Sequence, residues 1–268
     1  MTWAMAGALA GLIVAGAQAA TAAEPAATEQ ALQRGRMLFA LDEGAWGSTD
    51  DLLRRVPKAS LPAEGGWVAE PDGETLRFTY YAIKDGTRSA IYRAQMNGRN
   101  VVSAAVVAKG QDSSLSPQAQ RLAAAREAAI KALADKRPCA KAPFNVLSMP
   151  TEDADGTTAV YLLTPMTRTG SYPFGGHYMA AVNGEGEVVR QRAFTRSCLD
   201  IAEPGGRAPR GTPVAVVTHM LDETPTEIHV FMAARMAAPV VVVTQPGMAW
   251  VVSEEKIEGP EPLPTQGK

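Results

Sequence analysis

The chain has 268 residues, of which 46% are hydrophobic and 20% are charged, with 26 basic and 28 acidic side chains. Its net charge is −2. Proteins that bind nucleic acids or anionic membranes usually carry an excess of basic residues, so we expect neither kind of partner. A chain of this length can bury a substantial core as one large domain or as two small ones.

The first 23 residues have the features of an export signal. Residues 4–16 are apolar, about as long as a signal-peptide core and too short to span a bilayer as a helix. Two A-x-A sequences follow, so we expect cleavage between Ala19 and Glu24. The absence of Lys or Arg before Arg34 is atypical, and the alternative is a buried Ala-rich helix. We therefore predict a soluble periplasmic or secreted protein, without stable membrane insertion after signal cleavage.

Two short helices are predicted after the signal. Apolar residues recur near helical spacing in residues 28–41, and Gly44 follows as a stop. A capping box that begins at Ser48 predicts a second helix over residues 50–55. We expect Trp46 to pack in the core between these helices.

Residues 66–108 then alternate between apolar and polar side chains. Three turn pairs punctuate this region, namely Asp72-Gly73, Asp85-Gly86 and Asn97-Gly98. Asp-Gly and Asn-Gly tolerate the positive φ that tight hairpin turns need. The pattern predicts a meander of four antiparallel strands.

The second half repeats the order of a helix followed by strands. Ser116 and Pro117 form a strong helix start, and an Ala-rich helix is predicted to continue to Lys136. Eight strand-like runs follow, at residues 144–149, 158–166, 177–182, 187–194, 213–220, 226–234, 239–245 and 248–254.

The predicted strands follow one another in groups and do not alternate singly with helices. This order favours an α+β fold over a doubly wound fold. We predict antiparallel sheets with a few packed helices, and two helix-plus-sheet units as a further hypothesis. The units would span residues 24–110 and 111–257. Residues 258–268 are rich in Pro and poor in apolar side chains, so we predict a disordered tail.

Two cysteines, Cys139 and Cys198, lie in the exported part of the chain. In an oxidising compartment such a pair is expected to form a disulfide. The competing interpretation is that Cys198 is a nucleophile, although no CxxC spacing or adjacent basic pair supports it.

The common catalytic and cofactor motifs do not occur in the sequence. There is no G-x-G-x-x-G, Walker loop, H-E-x-x-H, G-x-S-x-G or zinc-type CxxC pair. We predict no cofactor, with a divalent metal such as zinc as the alternative. The lack of these motifs does not exclude a catalytic site that arose by convergent evolution, because such sites are recognised by geometry and not by sequence.

The three histidines, His177, His219 and His229, all lie in the last hundred residues. If residues 221–225 form a hairpin loop, His219 faces Glu227 and His229 lies diagonally on the same face. Such a face contains the groups of a two-His-one-carboxylate metal site or of a base oriented by an acid. The alternatives are histidines that only form hydrogen bonds within a sheet, and a register shift that separates these groups.

An aromatic segment precedes His177 and offers a second candidate site. Tyr172, Phe174 and Tyr178 surround a Gly-Gly pair that lets the backbone approach a bound group closely. The segment predicts either a ligand-binding loop or a sharp entry into a strand.

Two functional hypotheses follow from these features. The first is a non-catalytic module that binds an unidentified protein or small molecule. The second is a periplasmic hydrolase, with or without a metal, built on His219, Glu227 and His229 with His177 or Tyr178 nearby.

Overall fold

The computed structural model describes residues 23–202, 209, 211–245 and 247–263. Apart from Ala23, the predicted export signal lies outside these ranges. The described residues form three α-helices packed on mostly antiparallel sheets, which confirms the α+β prediction. The helices are α1 (Ala23–Arg55), α2 (Pro117–Ala132) and α3 (Glu227–Met236), and a 3-10 turn spans Lys58–Ser60. No helix in the described ranges is long and apolar enough to cross a membrane.

Helix α1 is continuous where two short helices were predicted. The expected stop, Gly44, is buried, and a Cβ at this position would lie 2.5 Å from the Phe78 ring. Gly44 therefore permits close packing between helix and sheet and does not end the helix. Ser48 lies inside the helix, where its hydroxyl donates to the Gly44 carbonyl oxygen at 2.6 Å, so it caps no second helix. Trp46 is 42% exposed, and the prediction that it packs in the core is wrong.

The predicted four-stranded meander is confirmed. Its strands are β1 (Gly65–Asp72), β2 (Thr75–Lys84), β3 (Thr87–Asn97) and β4 (Asn100–Val106). Gly73, Gly86 and Gly98 all have positive φ at the three turns, as the turn pairs predicted. Phe78 packs into the core that includes α1, whereas Tyr81 packs into the cluster formed with α2. The sheet is thus covered on both faces.

Helix α2 begins where the sequence predicts. The Ser116 hydroxyl oxygen accepts a hydrogen bond from the Ala119 N–H at 2.9 Å, and Pro117 is the first helical residue. The helix ends at Ala132, one turn before the predicted end at Lys136. A second antiparallel sheet lies beneath it, with the order β5-β6-β8-β9. Its strands are β5 (Asn145–Ser148), β6 (Thr158–Leu163), β8 (Tyr178–Val182) and β9 (Val188–Ala193).

Two short strands, β7 (Ser171–Pro173) and β10 (Asp200–Ala202), pair with each other beside this sheet. The predicted disulfide joins the same region. Cys139 and Cys198 are bonded, which confirms the pairing, and the bond links the segment after α2 to the segment between β9 and β10.

The last sheet has the order β11-β12-β13-β14. Its strands are β11 (Val216–Thr218), β12 (Val240–Thr244), β13 (Met248–Val252) and β14 (Ile257–Pro262). Strands β11 and β12 are parallel, because α3 connects them as a crossover helix. Residues 258–262, which we expected in a disordered tail, pair with β13 as part of β14. Residues 264–268 lie outside the described ranges.

Helix α3 replaces the strand predicted over residues 226–234. Every residue from Glu227 to Ala234 is buried, so the sequence shows no alternation between an apolar and a polar helix face. Ile228, Val230 and Phe231 favour a strand by intrinsic propensity. Tertiary burial on all sides overrides that preference.

The largest core cluster contains residues from both predicted units. Leu41 of α1, Tyr161 of β6, Val230 of α3 and Val242 of β12 all belong to it. The division of the chain near residue 110 stays a prediction.

Candidate functional site

The three histidines lie in the protein interior. His177 precedes β8, His219 follows β11 and His229 lies in the first turn of α3, with exposed fractions of 0%, 2% and 4%. The rings of His219 and His229 meet edge to face with centroids 4.7 Å apart. The hairpin expected to bring these two together does not form, because residues 227–236 are helical.

His177 has a hydrogen-bond partner at each ring nitrogen. Its Nδ1 accepts from the Thr164 backbone N–H at 3.2 Å, and its Nε2 lies 2.7 Å from the Pro173 carbonyl oxygen. Because Nδ1 accepts, the proton lies on Nε2 and is donated to Pro173. Burial lowers the pKa of His177 to about 4, so the ring is neutral near neutral pH. These contacts hold the turn between β6 and β8 and leave no nitrogen for proton transfer or metal binding.

His229 caps the helix in which it lies. Its Nδ1 accepts from the Thr226 backbone N–H at 2.9 Å, as a Glu or Gln does in a capping box. Burial, together with the nearby His219, lowers the pKa of His229 to about 3. His229 therefore stabilises the start of α3 as a neutral ring.

The carboxylate partner of His219 is Asp222, whereas the sequence suggested Glu227. His219 Nε2 and an Arg192 guanidinium nitrogen each lie 2.7 Å from the same oxygen of Asp222. Burial opposes ionisation of Asp222, but hydrogen bonds from His219 and Arg192 outweigh it and lower the Asp222 pKa. The Arg192 guanidinium also lies over the Phe194 ring, 4.3 Å from its centroid. This network joins β9 to the loop before α3.

Glu227 points to a different part of the core. It lies two residues before His229 on α3, and side chains at this spacing face apart. Its carboxylate accepts from the Tyr161 hydroxyl at 2.7 Å and lies 3.8 Å from the Arg34 guanidinium. Among the described residues, no group of three or more His, Cys, Asp or Glu side chains could hold a metal ion. The predicted cluster of His219, Glu227 and His229 is thus not assembled.

We expect Glu227→Ala to lower the free energy of unfolding by about 3 kcal/mol, since it removes one partner of a buried charged network. The fully buried Tyr161 hydroxyl would lose its acceptor and Arg34 would lose one neighbouring negative charge. Urea unfolding followed by circular dichroism measures the loss. Glu227→Gln keeps an acceptor for Tyr161 and should cost less. The exposed Glu223→Gln serves as the matched control, with a change within about 0.5 kcal/mol.

The aromatic segment is largely buried. Tyr172 is 8% exposed and Phe174 is 2% exposed, whereas Tyr178 is partly buried against Phe144. One of the two interpretations of this segment is that its glycines let a bound group approach the backbone, and the group that approaches Gly176 in the structure is the disulfide. A Cβ at Gly176 would lie 2.4 Å from the Cys139 sulfur, and its φ of 76° also favours glycine.

A cleft that the sequence did not indicate lies between α1, β1, α2 and the start of β5. Its volume is about 400 Å³, within the range of small-molecule sites. Three aromatic rings line it, from Trp46, Trp67 and Phe144, together with the 42% exposed side chain of Leu53. The remaining lining residues are Asp42, Ala45, Thr49, Asp50, Arg126, Asn145 and Val146.

The acidic side of the cleft is largely neutralised. Burial raises the pKa of Asp42 to about 6, against the attraction of Arg235, whose guanidinium lies 3.1 Å from the Asp42 carboxylate. Arg235 also pairs with Glu43 at 2.6 Å. Asp50 is exposed, so solvent screens its charge.

The basic side of the cleft is different, because Arg126 interacts with the Tyr81 hydroxyl but forms no salt bridge with a carboxylate among the described residues. Its guanidinium packs against Gly66, where a Cβ would lie 2.8 Å from the Arg126 Cζ. The Arg126 Nε is buried and has no hydrogen-bond partner among the described residues. Such an unsatisfied donor is uncommon in folded proteins, and the buried Tyr81 hydroxyl, which interacts with the Arg126 guanidinium, likewise makes no well-aligned hydrogen bond with those residues.

Part of this cleft has a signal in the sequence. Asp42, Trp46, Thr49 and Leu53 follow one another at steps of three or four residues, which is the spacing of one helix face. This stripe becomes visible only if α1 is taken as continuous through Gly44. The predicted break hid it.

No protein-family model, no curated protein and no solved structure matches the chain.

Proposed function

We propose that the chain is a non-catalytic binding protein that takes a small molecule with a planar, apolar body into the cleft beside Trp46. The observation that carries the proposal is the half-open volume of about 400 Å³ lined by three aromatic side chains. Exposed aromatic and apolar surface in a concave site is typical of ligand binding.

The rigidity of the walls supports this function. Trp67 packs against Phe78 with ring centroids 5.3 Å apart, and Phe144 meets Tyr178 edge to face at 5.8 Å. The Arg99 guanidinium lies over the Trp46 ring, 5.7 Å from its centroid, so all three rings contact neighbours before any ligand arrives. A preformed site loses little conformational entropy on binding.

The hydrolase alternative has weaker support. His219 and Asp222 form a hydrogen-bonded acid-base pair, but the His219 ring is 2% exposed. A substrate would have to open the interior to reach it. Metal-assisted hydrolysis on His219, Glu227 and His229 stays a prediction that the positions of these residues do not favour.

We also propose that the protein acts in the periplasm or outside the cell, after removal of the export signal. The signal-like sequence supports this location. The disulfide between Cys139 and Cys198 is compatible with an oxidising compartment.

A fluorescence titration with phenylnaphthylamine, a neutral apolar probe, tests the binding function. We expect saturable binding with one probe per chain, accompanied by a rise in probe emission. Trp46→Ala should weaken binding about 10-fold or more, because a ring face of the site is lost. Alanine suits a helix, so the variant should keep its fold.

Val102→Ala is the matched control for this titration. Val102 is an apolar residue that is 57% exposed on β4, outside the cleft. Its truncation should leave probe affinity unchanged. Equal affinity of the wild type and the Trp46→Ala variant, or no saturable binding at all, would reject the proposed function.

A further inference from the structure

Arg126 is the charged wall of the cleft, and its guanidinium interacts with the uncharged hydroxyl of the buried Tyr81. No salt bridge joins it to a carboxylate within the described part of the chain. The adjacent Glu127 does not serve, because both of its oxygens accept from Arg88, at 2.8 Å and 2.7 Å. A partly buried guanidinium is thus left without an anion.

Two carboxylates near the cleft are engaged. Asp42 pairs with Arg235, and Glu43 pairs with both Arg235 and Arg99. Asp50 on the α1 side has no salt bridge among the described residues, but it is exposed, so solvent screens its charge. The partly buried charge of Arg126 is the one in the cleft wall that an incoming anion would match.

The surroundings of Arg126 make this charge effective. Aromatic rings and Val146 reduce the local dielectric constant, which strengthens an ion pair relative to one in water. The planar guanidinium can donate two parallel hydrogen bonds to a carboxylate. Gly66 leaves the space that the guanidinium occupies, since a Cβ there would lie 2.8 Å from the Arg126 Cζ and would require the guanidinium to shift.

Resting on the proposed function, we infer that the ligand of this cleft is a carboxylic acid with an aromatic or similarly flat apolar body, whose carboxylate pairs with Arg126. The apolar body lies among Trp46, Trp67 and Phe144. The size of the cleft suits a body of about two fused rings.

Calorimetric titration of the mature protein with naphthylacetate and with naphthylacetamide tests this inference. The two probes share the ring system and differ in charge. We expect the wild type to bind the acid about 10- to 100-fold more tightly than the amide, because hydrogen bonds between charged partners are the stronger ones. The preference should decrease as salt concentration rises.

Arg126→Gln should abolish the preference and leave amide affinity within about threefold. Arg126→Lys keeps the charge without the planar fork and should retain part of the preference. Arg121→Gln is the matched control, since Arg121 lies on the same helix, is exposed and does not line the cleft. Phenylnaphthylamine binding and the circular dichroism spectrum confirm that each variant is folded.

Equal affinities of the wild type for acid and amide would overturn the inference, as would a preference that survives in Arg126→Gln. Failure to bind the acid in a protein that still binds phenylnaphthylamine at Trp46 would also overturn it and leave the proposed function intact. Loss of all Trp46-dependent binding would instead reject the proposed function.

Discussion

Lowering the pH from about 7 to about 5 is expected to remove about 4 kcal/mol of the free energy of unfolding through His177 and His229 together, of which Asp42 offsets about 1 kcal/mol. Both rings are buried and neutral, with pKa values of about 4 and about 3. In the unfolded chain each histidine has its ordinary pKa near 6.5. The unfolded state therefore binds more protons below pH 6.5, so the stability present at neutral pH is lost as the pH falls towards the folded pKa values.

Asp42 has the opposite effect and partly offsets the loss of unfolding free energy at low pH. Its folded pKa of about 6 lies above the ordinary value of 3.8, so the folded state binds more protons between these two values. Asp42 thus favours folding as the pH falls through this window. We expect the two histidines to outweigh the single carboxyl, because at about pH 5 the folded state lacks about one proton at each of two rings and gains about one at Asp42.

Urea midpoints at about pH 7 and about pH 5 measure the effect. His177→Gln is the informative variant, since an amide can replace both ring hydrogen bonds but takes up no proton. Its midpoint should change less with pH than that of the wild type. An identical pH dependence in the two proteins, or a wild type with pH-independent stability, would show that the buried rings do not control acid unfolding.

Removing the disulfide should lower the free energy of unfolding by about 4 kcal/mol. Cys139 and Cys198 are 59 residues apart, and the crosslink restricts the unfolded chain over that whole loop. The double variant Cys139→Ala/Cys198→Ala should therefore unfold at lower urea concentration. The loss should be largely independent of pH, unlike that of the histidines.

Dithiothreitol provides the control for the disulfide prediction. It should shift the urea midpoint of the wild type towards that of the double variant and leave the double variant unchanged. A wild-type midpoint that does not respond to complete reduction would contradict the expected contribution. Mass spectrometry of alkylated protein establishes that reduction was complete.

The difference between the predicted and the observed role of Glu227 has a physical origin. A hairpin would place it opposite His219, whereas the helix places it on the side that faces Tyr161 and Arg34. Asp222 then takes the carboxylate role beside His219. The hairpin interpretation also placed His219 and His229 on one face, whereas in the structure their rings meet between the segment after β11 and the first turn of α3.

Local chemistry alone determined several elements of this protein. The turn glycines, including Gly86, fix a positive φ that few other residues adopt, and the meander follows from them. The Ser116-Pro117 start of α2 depends on neighbouring backbone groups, and the cysteine pair depends on having a single partner each. The turns and the helix start depend on residues that are close in sequence. The disulfide depends on a pairing that has one solution, because the chain has two cysteines.

Only the tertiary structure decided the continuity of α1, the helix α3 and the cleft. Gly44 continues a helix because Phe78 of a distant strand packs against it, and residues 227–234 become helical because they are buried on every side. The cleft brings together Trp46, Trp67, Arg126 and Phe144, which are separated by up to about a hundred residues. The spacing of the α1 residues in the sequence shows that they share a helix face, but it does not show which distant strands and helices pack against that face, because those contacts depend on the tertiary fold.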